Sequence, residues 1–217
     1  PNDPNAQGRK KHAGDAIFED VNNDGQLDSK DMIFMGYVRP DKVGGIINTL
    51  KYKGLTVRIV MDWAMGHVID NGFKGQIMGS SRNNNNAIKE AMTNSWQSAN
   101  DGSKYPKYTV QSDYDYQYRN HMRWDNQIGS SASGSTNNSL YFSKGDYLAF
   151  REVSLSYMLP LSWIRKMRLS AVEVFAGAYN IGYIKKYDGM FPEIYTGVDY
   201  GIYPRPRQYN MGVKINF

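Results

Sequence analysis

The sequence predicts an all-β chain, an antiparallel transmembrane β-barrel segment with long extracellular loops. Three observations lead to this prediction. Segments of alternating apolar and polar residues recur along the chain, long and short connections alternate between them, and the chain ends on such a segment. No run of about 18 apolar residues is present, so no membrane-spanning helix is predicted. Barrel strands alternate lipid-facing and lumen-facing residues, and their average hydropathy is therefore unremarkable.

The last predicted strand, residues 207–217, shows the alternation most clearly. Met211, Val213, Ile215 and Phe217 alternate with polar residues or glycine, which is the period of a strand with one apolar face. A soluble domain usually ends in a poorly ordered tail, whereas this chain ends on the aromatic residue itself. Taken alone, the segment is equally compatible with the closing strand of a soluble sandwich.

Four earlier segments have the same character: residues 43–52, 55–65, 147–158 and 171–180. Each is close to the 9–11 residues that a tilted strand needs to cross a bilayer. Strands of soluble proteins more often have about five or six residues. In the third segment the alternation slips near Arg151, which predicts a β-bulge.

The period-two pattern gives each strand two faces of different chemistry. A charged side chain at the bilayer midplane costs about 2–4 kcal/mol for Arg or Lys, so the apolar face is expected to meet lipid. The expected lipid-facing residues are Leu55, Val57, Ile59, Met61, Trp63, Met211, Val213, Ile215 and Phe217. The expected lumen-facing residues are Arg58, Asp62, Lys214 and Asn216.

The lengths of the connections predict the orientation of the strands. Outer-membrane barrels combine short periplasmic turns with long extracellular loops, and the turns at 53–54 and 159–170 are the short ones here. A loop of about 80 residues is uncommon inside a compact soluble domain. The predicted organisation is an extracellular loop at 1–42, a hairpin at 43–65, a long extracellular loop at 66–146, a hairpin at 147–180, an extracellular loop at 181–206 and a terminal strand at 207–217.

Five strands cannot close a barrel, because about eight is the practical minimum. An open sheet would leave two edges of unpaired backbone groups in hydrocarbon. We therefore expect the chain to be the C-terminal part of a larger barrel, with the remainder of that barrel and membrane lipid as its immediate partners.

Residues 20–31 have the spacing of an EF-hand or dockerin-type calcium loop. Calcium takes six to eight hard oxygen ligands, and Gly25 stands where such loops need a sharp turn. The predicted Ca²⁺ ligands are Asp20, Asn22, Asp24, the carbonyl of Gln26 and Asp31. An Asp replaces the usual bidentate Glu at the last position, which favours weak, structural binding. An Asx-rich turn closed without a metal fits the same residues, and both interpretations stay open.

Composition and motifs argue against several classes of function. The chain contains no cysteine, so neither a disulfide framework nor thiol chemistry is available. Its three histidines lack metal-ligand spacing, and no phosphate-binding loop or nucleophile elbow is present. We therefore predict that the protein is not an enzyme. The net charge of +5 comes without a concentrated basic stripe, so nucleic acid is not an expected partner.

The long loop is the other region that could carry function. Residues 87–96 have apolar side chains at helical spacing and are expected to form a short helix. The candidate contacts to substrate or to a covering protein are Tyr105, Tyr108, Tyr114, Tyr116 and Trp124. Aromatic side chains with polar groups suit sugar stacking or a protein interface, and they suit cohesion of the loop equally well.

A series of stretches occurs in a characteristic order: Gly14-Asp15, Asp20–Asp28, Leu50–Gly54, Asp146–Pro160, Asn180-Ile181, Lys186–Gly189, Pro192-Glu193 and Tyr203–Tyr209, with Phe217 at the end. In this order and spacing the chain resembles the C-terminal region of SusC/RagA-like TonB-dependent outer-membrane transporters. The resemblance extends over nearly the whole chain and is weakest in residues 71–130. The plug domain and the TonB-contacting segment of that family lie far N-terminal to these stretches and have no counterpart here.

The resemblance implies that the chain is the last part of a 22-stranded barrel in the outer membrane of a Gram-negative bacterium. It implies import of oligosaccharides or oligopeptides, a SusD-like surface lipoprotein as a lid, and energy supplied through the TonB complex by regions absent from this chain. It also implies that Gly212, Ile215 and Phe217 belong to the assembly signal of outer-membrane barrels. The alternative function is a secreted, calcium-stabilised, β-rich carbohydrate-binding module, which would be soluble on its own.

Overall fold

The computed structural model describes residues 13–26, 29–78, 80–81, 88–110 and 139–217. The chain divides into two compact units. The loop unit comprises Pro1–Val38, Val68–Ser143 and Ile194–Ile202, and the sheet unit comprises Arg39–His67, Lys144–Glu193 and Tyr203–Phe217. Three of the predicted contact residues, Tyr114, Tyr116 and Trp124, lie outside the described residues.

The secondary structure is mainly β. In chain order the strands are β1 (Lys42–Tyr52), β2 (Leu55–Met65), β3 (Val68–Asp70), β4 (Ser80–Ser81), β5 (Thr109–Val110), β6 (Phe142–Lys144), β7 (Tyr147–Met158), β8 (Ala171–Lys185) and β9 (Gln208–Asn216). The α-helices are α1 (Gly72–Met78), α2 (Lys89–Asn94) and α3 (Leu161–Ile164), and single 3₁₀ turns lie at Ser29–Asp31, Ser139–Tyr141 and Arg165–Met167. None of the helices in the described part of the chain is long and apolar enough to cross a membrane.

The sheet unit is a five-stranded antiparallel sheet in the order β1-β2-β7-β8-β9. Its strands are the five that the alternation predicts. Lys53 and Gly54 both have positive φ, 45° and 85°, which is the backbone that a tight two-residue hairpin turn requires between β1 and β2. Each of β1 and β9 pairs with a single neighbour within this sheet, so both are edge strands.

The end of β8 differs from the prediction. The sequence placed the end of the second hairpin at residue 180, but β8 continues to Lys185, so the connection begins later than predicted. The pattern is interrupted because Asn180 adopts a left-handed φ of 51°. Beyond this irregularity the pairing resumes, with Gly182 opposite Phe150. A single left-handed residue is thus accommodated inside a continuous strand as a bulge.

The predicted bulge near Arg151 is confirmed. Pairing of β7 shifts between Phe150 and Glu152 on the side of β8 and, correspondingly, on the side of β2. The extra residue puts Arg151 and Glu152 on the same face of the sheet, because Arg151 contacts Asp62 and Glu152 contacts Arg58. The alternation on either side of the bulge therefore stays in phase with the neighbouring strands.

The register confirms that the sheet has one apolar and one polar face. The apolar face carries Ile46, Leu50, Leu55, Val57, Ile59, Met61, Trp63, Leu148, Phe150, Val153, Leu155, Tyr157, Val172, Val174, Ala176, Ala178, Met211, Val213 and Ile215. The polar face carries Arg58, Asp62, Glu152, Ser154, Ser156, Glu173, Asn210, Lys214 and Asn216. The apolar face stays open: Leu155 is 47% exposed and Val213 57%. An apolar surface of this extent marks a contact with something other than water.

The loop unit is held together by small cores and short ladders. Strand β3 pairs with β6, and β4 pairs in parallel with β5. One hydrophobic cluster in its described part contains Met78, Ala91, Tyr105 and Tyr141, with Ile88, Tyr108 and Leu140 packed against it. Helix α2 confirms the short helix that the spacing in residues 87–96 predicts. The long connection is therefore a folded structure in its described parts.

Candidate functional site

The polar face of the sheet carries a linked set of side chains, which we call the polar-face cluster: Asp62, Arg151, Tyr183, Glu193 and Arg205. Arg151 donates from Nη2 to Oδ2 of Asp62 at 2.8 Å, and its Nε also donates to Oδ1. Its Nη1 lies 2.5 Å from Oε1 of Glu193 and 3.2 Å from the hydroxyl of Tyr183. One guanidinium thus joins β2, β7, β8 and the segment that follows β8.

The carboxylate of Glu193 is the most buried member of the polar-face cluster. Its side chain is 1% exposed, and it accepts the hydroxyl proton of Tyr183 at 2.6 Å. Arg205 Nη2 lies 3.2 Å from its second oxygen, Oε2. A buried carboxylate is tolerated when each oxygen has a charged or hydrogen-bonding partner, and both oxygens of Glu193 meet this condition.

Aromatic rings surround the charged groups in a continuous series. The ring centroids of Tyr147 and Tyr183 are 5.9 Å apart, and those of Tyr183 and Phe191 are also 5.9 Å apart, both in edge-to-face geometry. The guanidinium of Arg151 lies 5.7 Å from the Tyr183 ring, and that of Arg205 lies 6.0 Å from the Phe191 ring. These edge-to-face and cation–π contacts add to the ion pairs and orient the two arginines.

A second ion pair on the polar face is weaker. Nε of Arg58 is 3.4 Å from Oε2 of Glu152, and Oε1 of the same carboxylate accepts a hydrogen bond from the Ser154 hydroxyl at 2.7 Å. The Arg58 side chain is 41% exposed. This pair lies wholly within the strands and does not reach the connections.

A histidine and a carboxylate lie where β2 ends and β7 begins. Asp146 accepts the backbone N–H of Gly66 at 2.8 Å and the ammonium of Lys186 at 2.9 Å. The hydrogen bond from Lys186 is the main cause that lowers the pKa of Asp146. His67 is buried, and its Nδ1 has no hydrogen-bond partner among the described residues. Burial lowers the pKa of His67, against the opposing attraction of Asp146.

The predicted calcium loop forms a hydrogen-bonded turn. The two oxygens of Asp20 accept the N–H groups of Asp24 and Gly25 at 3.2 and 2.9 Å, and Asp24 accepts the N–H of Gln26 at 2.9 Å. Asp31 accepts the N–H of Val21 at 2.9 Å. The hydrogen bond from Gln26 is the largest cause that lowers the pKa of Asp24.

These contacts bear on the two interpretations of the loop. The donor set consists of hard oxygens that suit Ca²⁺, whereas the hydrogen bonds are those of an Asx turn closed without a metal. Among the residues that the structure describes, no group of three or more His, Cys, Asp or Glu side chains is arranged to hold a metal. Calcium binding by Asp20, Asn22, Asp24, Gln26 and Asp31 stays a prediction.

The predicted contact residue Tyr105 lies in the core of the loop unit. It is 3% exposed, and its hydroxyl donates to Oε1 of Glu90 at 2.8 Å. Tyr108 is half-buried against the same hydrophobic cluster. The expectation that Tyr105 contacts a substrate or a covering protein is therefore corrected, because packing and a hydrogen bond already occupy its ring and hydroxyl. Tyr105 therefore fits the other interpretation of these aromatic residues, that they hold the loop together.

The predicted assembly residues lie on β9 and directly after it. Gly212 is paired with Phe175, whose ring lies 2.7 Å from where a Cβ atom of residue 212 would stand. Glycine at this position therefore makes room for an aromatic ring on the polar face. Ile215 lies on the apolar face opposite Val172. Phe217 follows the strand and is 93% exposed. Their role in assembly stays a prediction.

Sequence reasoning did not find the polar-face cluster. Acids on strands and loops are usually solvated, whereas the side chain of Glu193 is 1% exposed. A signal was present, since Glu193 follows Phe191 and Pro192 and precedes Ile194, so that an acid stands within an apolar run. The partners of Glu193 are 42 residues before it and 12 after it, at Arg151 and Arg205, and no local pattern joins positions so far apart.

Two known proteins are similar to this chain in sequence. The chain is 25% identical over 216 residues to TonB-dependent receptor P3 of Formosa agariphila, a match that covers 94% of the chain and 19% of that protein. TonB-dependent receptor P26 of the same organism is 23% identical over 216 residues, and this match covers 94% of the chain and 20% of that protein. The chain is thus similar in sequence to proteins named TonB-dependent receptors. It spans about a fifth of the length of these curated relatives. No family model matches the chain.

Solved structures of a transporter have the same fold. The structure of the RagAB peptide transporter superposes with a TM-score of 0.61 at 21% identity. The match covers 89% of the present chain and 20% of the transporter chain. The RagAB peptide importer in its closed-closed state gives a TM-score of 0.58 at 19% identity, with the same coverage. These likenesses confirm the predicted resemblance and the predicted fold class, an antiparallel β-barrel segment. The relatives carry the names of receptors and of a transporter, not of enzymes.

Proposed function

We propose that the chain forms the C-terminal part of the wall, with its adjoining extracellular loops, in an active transporter of the Gram-negative outer membrane. The observation that carries the proposal is the two-faced sheet. Its apolar face runs unbroken from β2 to β9, while its polar face holds charged side chains in ion pairs. A sheet with lipid on one side and an aqueous lumen on the other needs this division.

The edges of the sheet support a larger barrel. Strands β1 and β9 each leave one row of backbone groups without a partner in this sheet. Such groups are costly in hydrocarbon, and barrels avoid the cost by closure. In the proposed transporter, the remaining strands of the same 22-stranded barrel pair with both edges.

The names of the relatives support the proposed cargo and partners. The solved structures are named as a peptide transporter or importer and the curated relatives as TonB-dependent receptors. Accordingly, the proposed transporter imports oligosaccharides or oligopeptides. The TonB complex supplies energy through regions outside this chain, and a SusD-like lipoprotein serves as the lid on the extracellular side.

Uptake by intact cells tests the function. Cells with and without the full-length gene are given labelled panels of oligosaccharides and oligopeptides, in backgrounds with and without TonB. We expect uptake of at least one class only where both the gene and TonB are present. Uptake that is independent of TonB, or recovery of the protein in the soluble extracellular fraction, would contradict the proposal. The second result would favour a secreted carbohydrate-binding module.

A matched pair of substitutions tests the wall. Val57→Asp places a carboxylate on the apolar face, and Thr56→Asp places the same carboxylate on the polar face of the same strand. We expect much less inserted full-length protein for Val57→Asp and near-normal insertion for Thr56→Asp, because only the first charge would face lipid. Equal insertion of both variants would refute the assignment of the faces.

A further inference from the structure

The chain leaves the sheet unit after Glu193 and re-enters it at Tyr203. The segment between, Ile194–Ile202, belongs to the loop unit, where it is hydrogen bonded to the residues that follow β2. The N–H of Asp70 donates to the carbonyl of Gly197 at 2.9 Å, and the N–H of Phe73 donates to that of Asp199 at 2.8 Å. The segment is therefore an ordered element in its own right.

Glu193 and Arg205 join the two ends of this segment. Glu193 is the last residue before the chain leaves the sheet unit, and Arg205 is the third residue after it returns. Their side chains meet at 3.2 Å between Nη2 and Oε2. The ion pair therefore ties the exit point to the re-entry point on the polar face.

The two arginines that contact Glu193 differ in their surroundings. Arg151 stands in the bulge of β7, is 20% exposed in its side chain and also binds Asp62, so it anchors Glu193 to the strands. Arg205 is 52% exposed and binds Glu193 through a single contact, with the Phe191 ring as its other support. The contact with Arg205 is thus the one that can open while Glu193 stays anchored.

We propose that the Glu193–Arg205 pair is a clasp that holds the exit and re-entry points of the 194–202 segment together, and that Arg205 is thereby a positioning residue for uptake. The role in uptake rests on the proposed transport function, whereas the clasp itself does not. Arg205 acts through Glu193 on the connection. When the clasp is open, Glu193 next to Ile194 is held by Arg151 and Tyr183 without Arg205.

A buried reporter next to the clasp can measure its opening. Ile194 is 3% exposed, and the chain has no cysteine of its own, so Ile194→Cys adds a single buried thiol to this region. In the full-length transporter, a membrane-impermeant maleimide should label this thiol slowly. Protein without the reporter gives the background from cysteines elsewhere. Arg205→Gln should make labelling roughly three- to tenfold faster, because it removes a charged hydrogen bond to a buried carboxylate.

Two further variants separate the clasp from a general loss of structure. Arg205→Lys keeps the charge but not the planar fork, and it should restore part of the protection. Arg58→Gln is the matched control, since Arg58 also pairs with a glutamate on the polar face but only within the strands. It should leave the labelling rate at that of the parent. Unchanged labelling in Arg205→Gln, or equal acceleration in Arg58→Gln, would overturn the clasp.

Uptake per inserted molecule tests the positioning role. We expect Arg205→Gln to reach the cell surface at normal abundance but to take up less substrate, with partial rescue by Arg205→Lys. Faster labelling together with normal uptake would overturn the positioning role. If the unsubstituted transporter imports none of the substrates, the proposed function fails, while the labelling rates still decide whether the clasp exists.

Discussion

The Nη2 atom of Arg151 lies 2.8 Å from Oδ2 of Asp62, across the ladder between β7 and β2. The bulge at Arg151 makes this contact compatible with the rest of the strand, because it places Arg151 and Glu152 on one face. Without the extra residue, Glu152 and Ser154 would turn onto the apolar face. The bulge therefore keeps one face apolar and the other charged along the whole strand.

Loss of Arg151 should be strongly destabilising. Arg151→Met leaves Asp62 and the buried Glu193 without their shared cation. Breaking a buried ion pair by removing one partner costs about 3–5 kcal/mol. We expect Arg151→Met to lower the free energy of unfolding of the full-length protein in lipid vesicles by this amount, as measured by urea titration.

The control for this prediction is Arg58→Met. The Arg58 side chain is 41% exposed, and its Nε lies 3.4 Å from Oε2 of Glu152. An exposed pair contributes at most about 1 kcal/mol. Equal losses for the two variants would show that the polar-face cluster does not stabilise the wall.

Acid should weaken the end of the sheet through His67. Burial lowers the pKa of His67 below its ordinary value of 6.5, so the folded state holds the neutral ring, with the ionised Asp146 and the cation of Lys186 nearby. The stability that comes from this neutral state is complete above about pH 6.5 and is lost as the pH falls through the lower, folded-state pKa. Hydrogen exchange of Gly145, whose N–H donates to the His67 carbonyl at 2.8 Å, is the measurement.

His67→Gln gives the comparison, because glutamine does not titrate in this range. We expect the protection factor of Gly145, which compares its exchange rate with the intrinsic amide rate at the same pH, to fall on acidification in the parent and to depend less on pH in the variant. The same pH dependence in both proteins would show that His67 is not the titrating group.

Calcium should stabilise the 20–31 loop if the predicted ligands bind it. Asp24→Ala removes one predicted ligand, and Asp101→Ala is the matched control. Asp101 also accepts backbone N–H groups in a loop, from Gln97, Ser98 and Ser103, and these bonds lower its pKa. In the full-length protein we expect calcium to raise the melting temperature of the parent and of Asp101→Ala, but not of Asp24→Ala. If calcium changes the melting temperature of the parent and of both variants equally, the loop is an Asx turn closed without a metal.

Deletion of Phe217 should lower the amount of assembled protein rather than its activity. The ring is 93% exposed after β9, and in the proposed barrel it would stand where outer-membrane barrels place aromatic girdles. We expect lower surface abundance and normal uptake per inserted molecule, with Phe217→Trp close to the parent. Normal abundance with lost uptake would instead indicate a binding role for the terminus.

The strands and their faces could be predicted because a period-two pattern is local. The alternation in Leu55–Met65 needs no knowledge of its partners, and the slip at Arg151 is visible as a break in phase. The end of β8 was placed too early because Asn180 breaks the pattern inside a strand that continues. Tyr105 was misassigned because a buried aromatic residue and an exposed one look alike in sequence. Glu193 was missed because its partners are brought to it only by the sheet.

Side-chain environment along β2 tests the central claim, that the sheet is a membrane wall. Single cysteines at successive positions of Leu55–Met65 carry a spin label in the full-length protein in bilayers. Collisions with oxygen report lipid, and collisions with a water-soluble nickel complex report an aqueous lumen. We predict alternation with a period of two, with labels at Val57, Ile59 and Met61 exposed to oxygen and labels at Arg58 and Asp62 exposed to nickel. Access of the nickel complex to both faces alike would contradict the account.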